Sequence, residues 1–184
     1  WARGTHVNSP AMANASASVN ALVAELAVRV DAAVARPGSA LDAIDGTVPK
    51  VFVEPVTPVG VGKVLSWADE TRRTVVVRGG GTKMGWGPPP DSIDVMLSTK
   101  GMNAVVAHRH GDLTATVQAG ATLSETNAVL AVHRQWLPLD PPWADRATIG
   151  GVVATNDSGP RRQRHGAPRD LIIGMTLMRA DGLM

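Results

Sequence analysis

Apolar residues recur at helical spacing in the first part of the chain and predict one long helix. Its apolar face would carry Val19, Leu22, Val23, Leu26, Val30 and Val34. We expect the helix to end before Arg36-Pro37-Gly38, since proline and glycine stop a helix. Residues 1–17 show no such periodicity, so we predict a disordered N-terminal extension, followed by a helix and linker over 18–47.

From Pro49 onward, short apolar runs alternate with helical patterns. The runs predicted as strands are 51–53, 74–77, 93–97, 104–107, 113–119 and 171–179. Thr57 before Pro58 predicts the N-cap of a helix that reaches about Ala68. Thr122 and Glu125 fit a capping box at the start of another helix. The alternation predicts an α+β domain over 48–184, with mixed sheets flanked by helices.

Composition narrows the possible chemistry. Eighteen Lys and Arg against sixteen Asp and Glu give a net charge of +2, which argues against a nucleic-acid or membrane-surface partner. The chain has no cysteine and no tyrosine, which excludes disulfides, thiolate ligands and tyrosine chemistry within it. No apolar run is as long as a membrane span, and no secretory signal is visible, so we expect a cytoplasmic protein.

A glycine-rich loop follows the strand predicted at 74–77. It consists of Arg78, Gly79, Gly80, Gly81, Thr82 and Lys83. Consecutive glycines allow backbone N–H groups to converge on an anion, and a diphosphate is the natural guest. A flexible loop is the alternative for a glycine run taken alone. The triphosphate-binding loop needs Gly-Lys-Ser/Thr, and the dinucleotide fingerprint needs a helix that Pro88-Pro89-Pro90 forbids.

Two later segments also contain glycines and polar side chains. Asp140-Pro141-Pro142 precedes the run 147–159, in which Thr148, Asn156 and Ser158 can donate hydrogen bonds to carbonyl or phosphate oxygens. A tight helix–turn packing element explains this run as well as a ligand site does. Residues 160–166 are a basic turn, for which a solvated surface is the simplest interpretation. His108 and His110 flank a turn, but no third ligand is evident, so we expect no metal.

Taken in order, these segments resemble the vanillyl-alcohol-oxidase type, or PCMH-type, FAD-binding domain over residues 49–182. The resemblance implies two small α/β subdomains. It also assigns FAD contacts to Arg78, Gly79, Gly80, Gly81, Thr82, Lys83, Pro141, Ala147, Thr148, Gly150, Gly151, Ala154, Asn156, Ser158, Gly159 and Ile172. Within the family, Ser158-Gly159-Pro160-Arg161-Arg162 is similar to the FAD-binding subunits of glycolate oxidases. Members with covalent FAD carry histidine where this chain has Thr82, which implies non-covalent FAD.

The resemblance also sets expectations about activity. Such proteins transfer a hydride equivalent from a small hydroxy acid to FAD, often with partner subunits. Family members continue beyond the position of Met184, so we expect a domain incomplete at its C-terminus, weak or no FAD binding, and catalytic residues outside this chain. We assign no catalytic residue; His165, beside the arginines, is the one candidate within reach. The alternatives are a non-catalytic FAD-binding module in a complex, and a nucleotide- or phosphosugar-binding module.

Overall fold

The computed structural model describes residues 10–30 and 32–184. The helices are α1 Pro10–Arg29, α2 Pro58–Glu70, α3 Leu123–Ala131, α4 Ile149–Thr155, α5 Arg162–His165 and α6 Pro168–Leu171. The strands are β1 Ala32–Pro37, β2 Val51–Pro55, β3 Val75–Arg78, β4 Val95–Ser98, β5 Val105–Arg109 and β6 Thr114–Val117. This mixture of helices and small sheets confirms the α+β fold class.

The larger sheet has the strand order β1-β2-β4-β3. Strand β1 is antiparallel to β2, whereas β2 and β3 both run parallel to β4, with Val53 and Val77 each opposite Leu97. Helix α2 connects β2 to β3, and α1 and α2 pack against the sheet. The principal core lies between them and contains Leu26, Val30, Val51, Val53, Val61, Val64, Trp67, Ala68, Val95, Leu97 and Met102.

A second region follows, built from the antiparallel pair β5–β6 and the helices α3 to α6. Its core is small and consists of Leu123, Leu139, Ala147 and Val152. Thr122 and Thr148 form an isolated antiparallel bridge, which ties the start of α3 to the start of α4. No helix in the described part of the chain is long and apolar enough to cross a membrane.

The N-terminal prediction needs two corrections. Residues 10–17, expected to be disordered, lie in α1, whereas residues 1–9 fall outside the described part of the chain. The predicted helix up to Val34 is wrong beyond Arg29, because residues 32–37 form β1. Pairing of β1 with β2 supplies backbone hydrogen bonds along a sheet edge, and this tertiary gain overrides the helix preference of the alanines.

The strand predicted over 171–179 is also wrong. Leu171 ends α6, and residues 172–178 pair with no strand among those described. A strand needs a neighbour to accept and donate its ladder hydrogen bonds, and the sequence pattern carries no information about that neighbour. A turn follows at the end of the chain: the Arg179 N–H donates to the Leu183 carbonyl (2.8 Å) and the Gly182 N–H donates to the Arg179 carbonyl (3.0 Å).

Local signals for two helix starts are confirmed. Thr57 caps α2 by accepting a hydrogen bond from the Gly60 N–H at 3.0 Å. Thr122 and Glu125 form the reciprocal capping box of α3, with Thr122 Oγ1 accepting from the Glu125 N–H at 3.1 Å. Such signals are encoded within four residues, so they do not depend on long-range contacts.

Candidate functional site

The glycine loop lies at the C-terminal end of β3, next to the segment that leads into α4. A methyl group added at Gly79 would overlap Thr148 Oγ1, and one added at Gly80 would overlap the Arg146 carbonyl oxygen. Gly81 has φ +72°, a backbone conformation that favours glycine. The three glycines are therefore required by close packing and by backbone geometry, which argues against a merely flexible loop.

Three backbone amides in the middle of this loop have no acceptor in the described part of the chain. The N–H groups of Gly80, Gly81 and Thr82 donate no hydrogen bond to any residue that the structure describes. Backbone N–H groups are rarely left unpaired away from solvent, and consecutive free ones form anion-binding concavities. The loop therefore has the donor set for a phosphate or diphosphate.

The two cations that flank the glycines have acidic partners. Lys83 Nζ lies 2.9 Å from Asp157 Oδ2, and both side chains are largely buried. Arg78 Nη1 lies 3.8 Å from Asp42 Oδ1. Asp42 in turn accepts two hydrogen bonds from the guanidinium of Arg36, of 2.6 and 2.9 Å. Because both cations are paired, the free backbone amides are the uncommitted donors of the loop.

The pKa of the Asp42 carboxyl lies far below its usual range. Hydrogen bonds from Arg36 are the main cause; burial acts in the opposite direction, and hydrogen bonds from Ser39 add to the lowering. Asp42 therefore stays ionised and holds Arg36 and Arg78 together beneath the loop. Sequence reasoning missed this contact because Asp42 lies in a segment between regular elements, far along the chain from Arg78.

The lysine–aspartate pair joins the glycine loop to the residues after α4. Asn156 ends that helix in the left-handed conformation, with φ +49°, which turns the chain so that Asp157 meets Lys83. Ser158 Oγ, the next polar atom along the chain, is buried without a hydrogen-bond partner among the described residues. A buried hydroxyl without a partner is costly, which makes Ser158 a candidate for contact with a ligand.

Gly159 completes this group of segments. It packs against Asp140, where an added methyl group would lie 2.7 Å from Asp140 Oδ1. The same Oδ1 is buried without a hydrogen-bond partner in the described part of the chain, while Oδ2 accepts from the Arg161 N–H at 3.1 Å. Asp140 thus positions the loop of 156–161. Pro141, immediately after it, is buried.

The segment before α4 is held from both sides. The Gly150 N–H donates to the Ala119 carbonyl (2.9 Å), and a methyl group added at Gly150 would lie 2.7 Å from the Ala119 Cβ. Gly151 donates to Thr148 Oγ1, which caps the helix. The paired glycines therefore serve as a packing element at the start of a helix, which is the helix–turn alternative that the sequence offered.

The structure brings together most of the expected contact residues. The segments 78–83, 146–151 and 156–159 and Asp140-Pro141 meet in one place. Ala154 and Asn156 are exposed at the end of α4, and Ile172 is half-buried after α6. The role of Ile172 in binding stays a prediction. Asp42, Arg146 and Asp157 are site residues that the sequence did not reveal.

A histidine cluster lies elsewhere, between the β5–β6 turn and the end of α3. The rings of His110 and His133 stack 3.9 Å apart with an angle of 1° between their planes, and His108 lies 5.4 Å from His133. Within the described residues, no group of three His, Cys, Asp or Glu side chains is arranged to hold a metal ion.

This geometry defines an α+β domain whose glycine loop presents free backbone amides suited to an anion. Comparison with known proteins makes the class specific: the family model described as "FAD binding domain" matches residues 49–184. The chain belongs to this family, and FAD is its cofactor. The free amides of the loop and the unpaired Ser158 hydroxyl are an appropriate donor set for FAD.

Three curated relatives are similar to most of the chain. D-2-hydroxyglutarate dehydrogenase of Danio rerio is 33% identical over 132 residues, which cover 72% of this chain and 25% of the relative. D-lactate dehydrogenase of Archaeoglobus fulgidus is 33% identical, with coverage of 72% and 29%. Glycolate oxidase subunit GlcD of Bacillus subtilis is 29% identical, with coverage of 74% and 29%. The chain thus spans less than a third of each relative's length.

Solved structures share the fold. A BBE-like 1 variant of Physcomitrella patens matches with a TM-score of 0.71 at 19% identity, covering 88% of this chain and 36% of that one. Alkyldihydroxyacetonephosphate synthase matches with a TM-score of 0.64 at 22% identity, covering 71% and 26%. At these identities the likeness concerns the fold alone.

Proposed function

We propose that this chain forms the diphosphate-binding part of an FAD-dependent oxidoreductase that acts on 2-hydroxy acids. The observation that carries the proposal is the row of three free backbone N–H groups at Gly80, Gly81 and Thr82, on a loop fixed by its packing against Arg146 and Thr148. A preorganised set of amides binds an anion at low entropic cost, because the loop needs no reordering.

Each part of the site has a distinct task in this proposal. The loop amides donate to diphosphate oxygens, and the Ser158 hydroxyl donates to a further oxygen or carbonyl of the cofactor. Lys83 and Asp157 hold the two segments together through their ion pair. FAD supplies the chemistry by accepting a hydride equivalent, while the protein supplies position and electrostatics. Thr82 stands where family members with covalent FAD carry histidine, so the proposed binding is non-covalent.

The substrate class is supported by the names of the relatives. They name three different 2-hydroxy acids: 2-hydroxyglutarate, lactate and glycolate. Within this class we propose glycolate, on the likeness of Ser158-Gly159-Pro160-Arg161-Arg162 to glycolate oxidase subunits. Partner subunits belong to the same proposal, since the Bacillus relative is itself called a subunit. A cytoplasmic location remains a prediction from the sequence.

Titration with ADP tests the site without requiring tight FAD binding or turnover. ADP carries the diphosphate and AMP does not, so we expect ADP to shift the NMR amide signals of Gly80, Gly81 and Thr82. AMP should bind about tenfold more weakly, as expected from the loss of one or two charge-assisted hydrogen bonds. Equal affinity for ADP and AMP, or shifts confined to other residues, would contradict the diphosphate site.

Two glycines in the same part of the chain provide a matched pair of variants. Gly80→Ala forces a methyl group onto the Arg146 carbonyl oxygen and should abolish the ADP-induced shifts. Gly85→Ala adds its methyl group where no atom lies within 4 Å and should leave them unchanged. A Gly80→Ala variant that remains folded and binds ADP normally would show that the close packing does not shape the site.

A further inference from the structure

Trp136 holds two basic side chains next to the candidate site. The guanidinium carbon of Arg161 lies 4.9 Å from the centre of the Trp136 ring. The His165 ring meets Trp136 edge-on, with 5.5 Å between ring centres and an angle of 78° between the planes. Arg161 and His165 are one helical turn apart, and the His165 N–H donates to the Arg161 carbonyl at 3.0 Å. One indole therefore fixes both side chains on the same side of the turn.

The positive charge of this turn is uncompensated. Arg161, Arg162 and Arg164 form no ion pair with any described residue, and the guanidinium of Arg161 donates no hydrogen bond to one. This contrasts with Arg36, whose guanidinium makes two hydrogen bonds to Asp42. Stacking on an aromatic ring leaves the edge of a guanidinium free, and that edge matches the two oxygens of a carboxylate.

The turn is attached directly to the candidate site. The Arg161 backbone N–H donates to Asp140 Oδ2, and Gly159 packs against the same aspartate. The buried Ser158 hydroxyl lies between Gly159 and the Lys83–Asp157 pair along the chain. A small anion bound at Arg161 would therefore lie beside the loop that we assign to the cofactor.

We propose that Arg161, whose guanidinium lies over the Trp136 ring and is accompanied by His165, is a binding site for the carboxylate of a small acid. The identification of that acid as a 2-hydroxy acid rests on the function proposed above; the carboxylate site itself rests on the geometry. Arg161 makes the bidentate contact, Trp136 orients the guanidinium, and His165 adds a second hydrogen-bond donor on the same side.

Titration of the 184-residue chain with sodium glycolate at constant ionic strength tests this site. The readout is the NMR signal of the Trp136 indole N–H, assigned by its loss in Trp136→Phe. We expect a saturable shift in the wild type, and about tenfold weaker binding in Arg161→Met, since a charge-assisted contact is lost. Arg161→Lys should recover only part of the affinity, because an ammonium group lacks the planar fork.

Arg162→Met is the matched control, since it removes an equal charge one residue away from the stacked position. It should leave glycolate binding close to that of the wild type. Equal losses in Arg161→Met and Arg162→Met would show a diffuse charge effect and overturn the proposal, as would the absence of a saturable shift. Inorganic phosphate that binds at Arg161 as tightly as glycolate would overturn the carboxylate assignment.

The ADP titration separates this proposal from the proposed function. Glycolate binding at Arg161 without an ADP response in the glycine loop would support the carboxylate site and overturn the proposed cofactor site. An ADP response without glycolate binding would leave the cofactor site standing and overturn the carboxylate site.

Discussion

The two regions of the chain are stabilised in different ways. Every residue of β4, Val95–Ser98, is buried, whereas no residue of β6, Thr114–Val117, is. The first region has a continuous apolar core between its sheet and two helices, and the second has a small core beneath short helices. The second region relies more on capping hydrogen bonds and on glycine contacts. The candidate site lies where the two regions meet, on a loop of the first and two segments of the second.

The largest expected difference concerns two buried leucines. Leu97→Ala should destabilise the chain by about 4 kcal/mol, because Leu97 is fully buried on a strand with neighbours on both sides. Leu123→Ala should cost about 2 kcal/mol, because the smaller core around it can collapse into the cavity. Urea unfolding measures both values. Equal losses would show that the two cores are equally rigid and would remove the contrast between the regions.

Asp42 provides a smaller effect with a pH signature. Asp42→Asn should cost about 2 kcal/mol at neutral pH, since it removes the charge of a buried carboxylate that accepts hydrogen bonds from the half-exposed Arg36 and from Ser39. Because the folded-state pKa of Asp42 is lowered, its stabilising contribution is present at neutral pH. It shrinks as the pH falls below the unfolded value of about 3.9. Urea unfolding at several pH values from about 6 to about 3 checks this. The free energy of unfolding should depend less on pH in the variant than in the wild type.

Arg179 and Asp181, in the C-terminal turn that packs against α2, provide the control for this experiment. Their side chains are 2.7 Å apart but 70% and 35% exposed. Asp181→Asn should therefore change stability by less than about 1 kcal/mol. A loss of stability as large as that of Asp42→Asn would mean that an exposed ion pair stabilises this chain as much as one with a buried carboxylate.

The smallest expected effects come from the helix caps. Thr57→Ala and Thr122→Ala should each cost about 1 kcal/mol, the usual value for loss of an N-cap. The loss should be slightly larger at Thr122, whose N–H and hydroxyl both also donate to Glu125 in a reciprocal box. Hydrogen exchange of the first turn of α2 and of α3 measures each effect separately. A clearly larger loss of stability in Thr57→Ala than in Thr122→Ala would contradict the expectation that the second region depends more on local contacts than the first.

The sequence predicted those elements whose signals are local. β2 to β6 follow from short apolar runs, and the starts of α2 and α3 follow from Thr57 and Thr122 with its capping partner. It failed where a distant partner decides the outcome. β1 forms because β2 lies beside it and supplies its hydrogen-bond partners. Residues 172–178 form no strand because no described strand lies beside them.

The candidate site shows the same division. The glycine run, the paired glycines at 150–151 and the hydroxyl of Ser158 could be identified from residue type and order. The partners of Lys83 and Arg78 could not, because Asp157 and Asp42 meet them only through the tertiary fold. The contact of Gly80 with the Arg146 carbonyl likewise has no counterpart in the local sequence.

That contact between Gly80 and Arg146 also bears on the order of folding. The amides of the glycine loop acquire their arrangement only after the second region has docked, because Arg146 and Thr148 form the wall behind the loop. A ligand that binds only the docked state draws the equilibrium towards it, by an amount that grows with ligand concentration. Flavin binding would then stabilise the docked arrangement of the two regions, and the gain would matter most for the second region, whose own core is small.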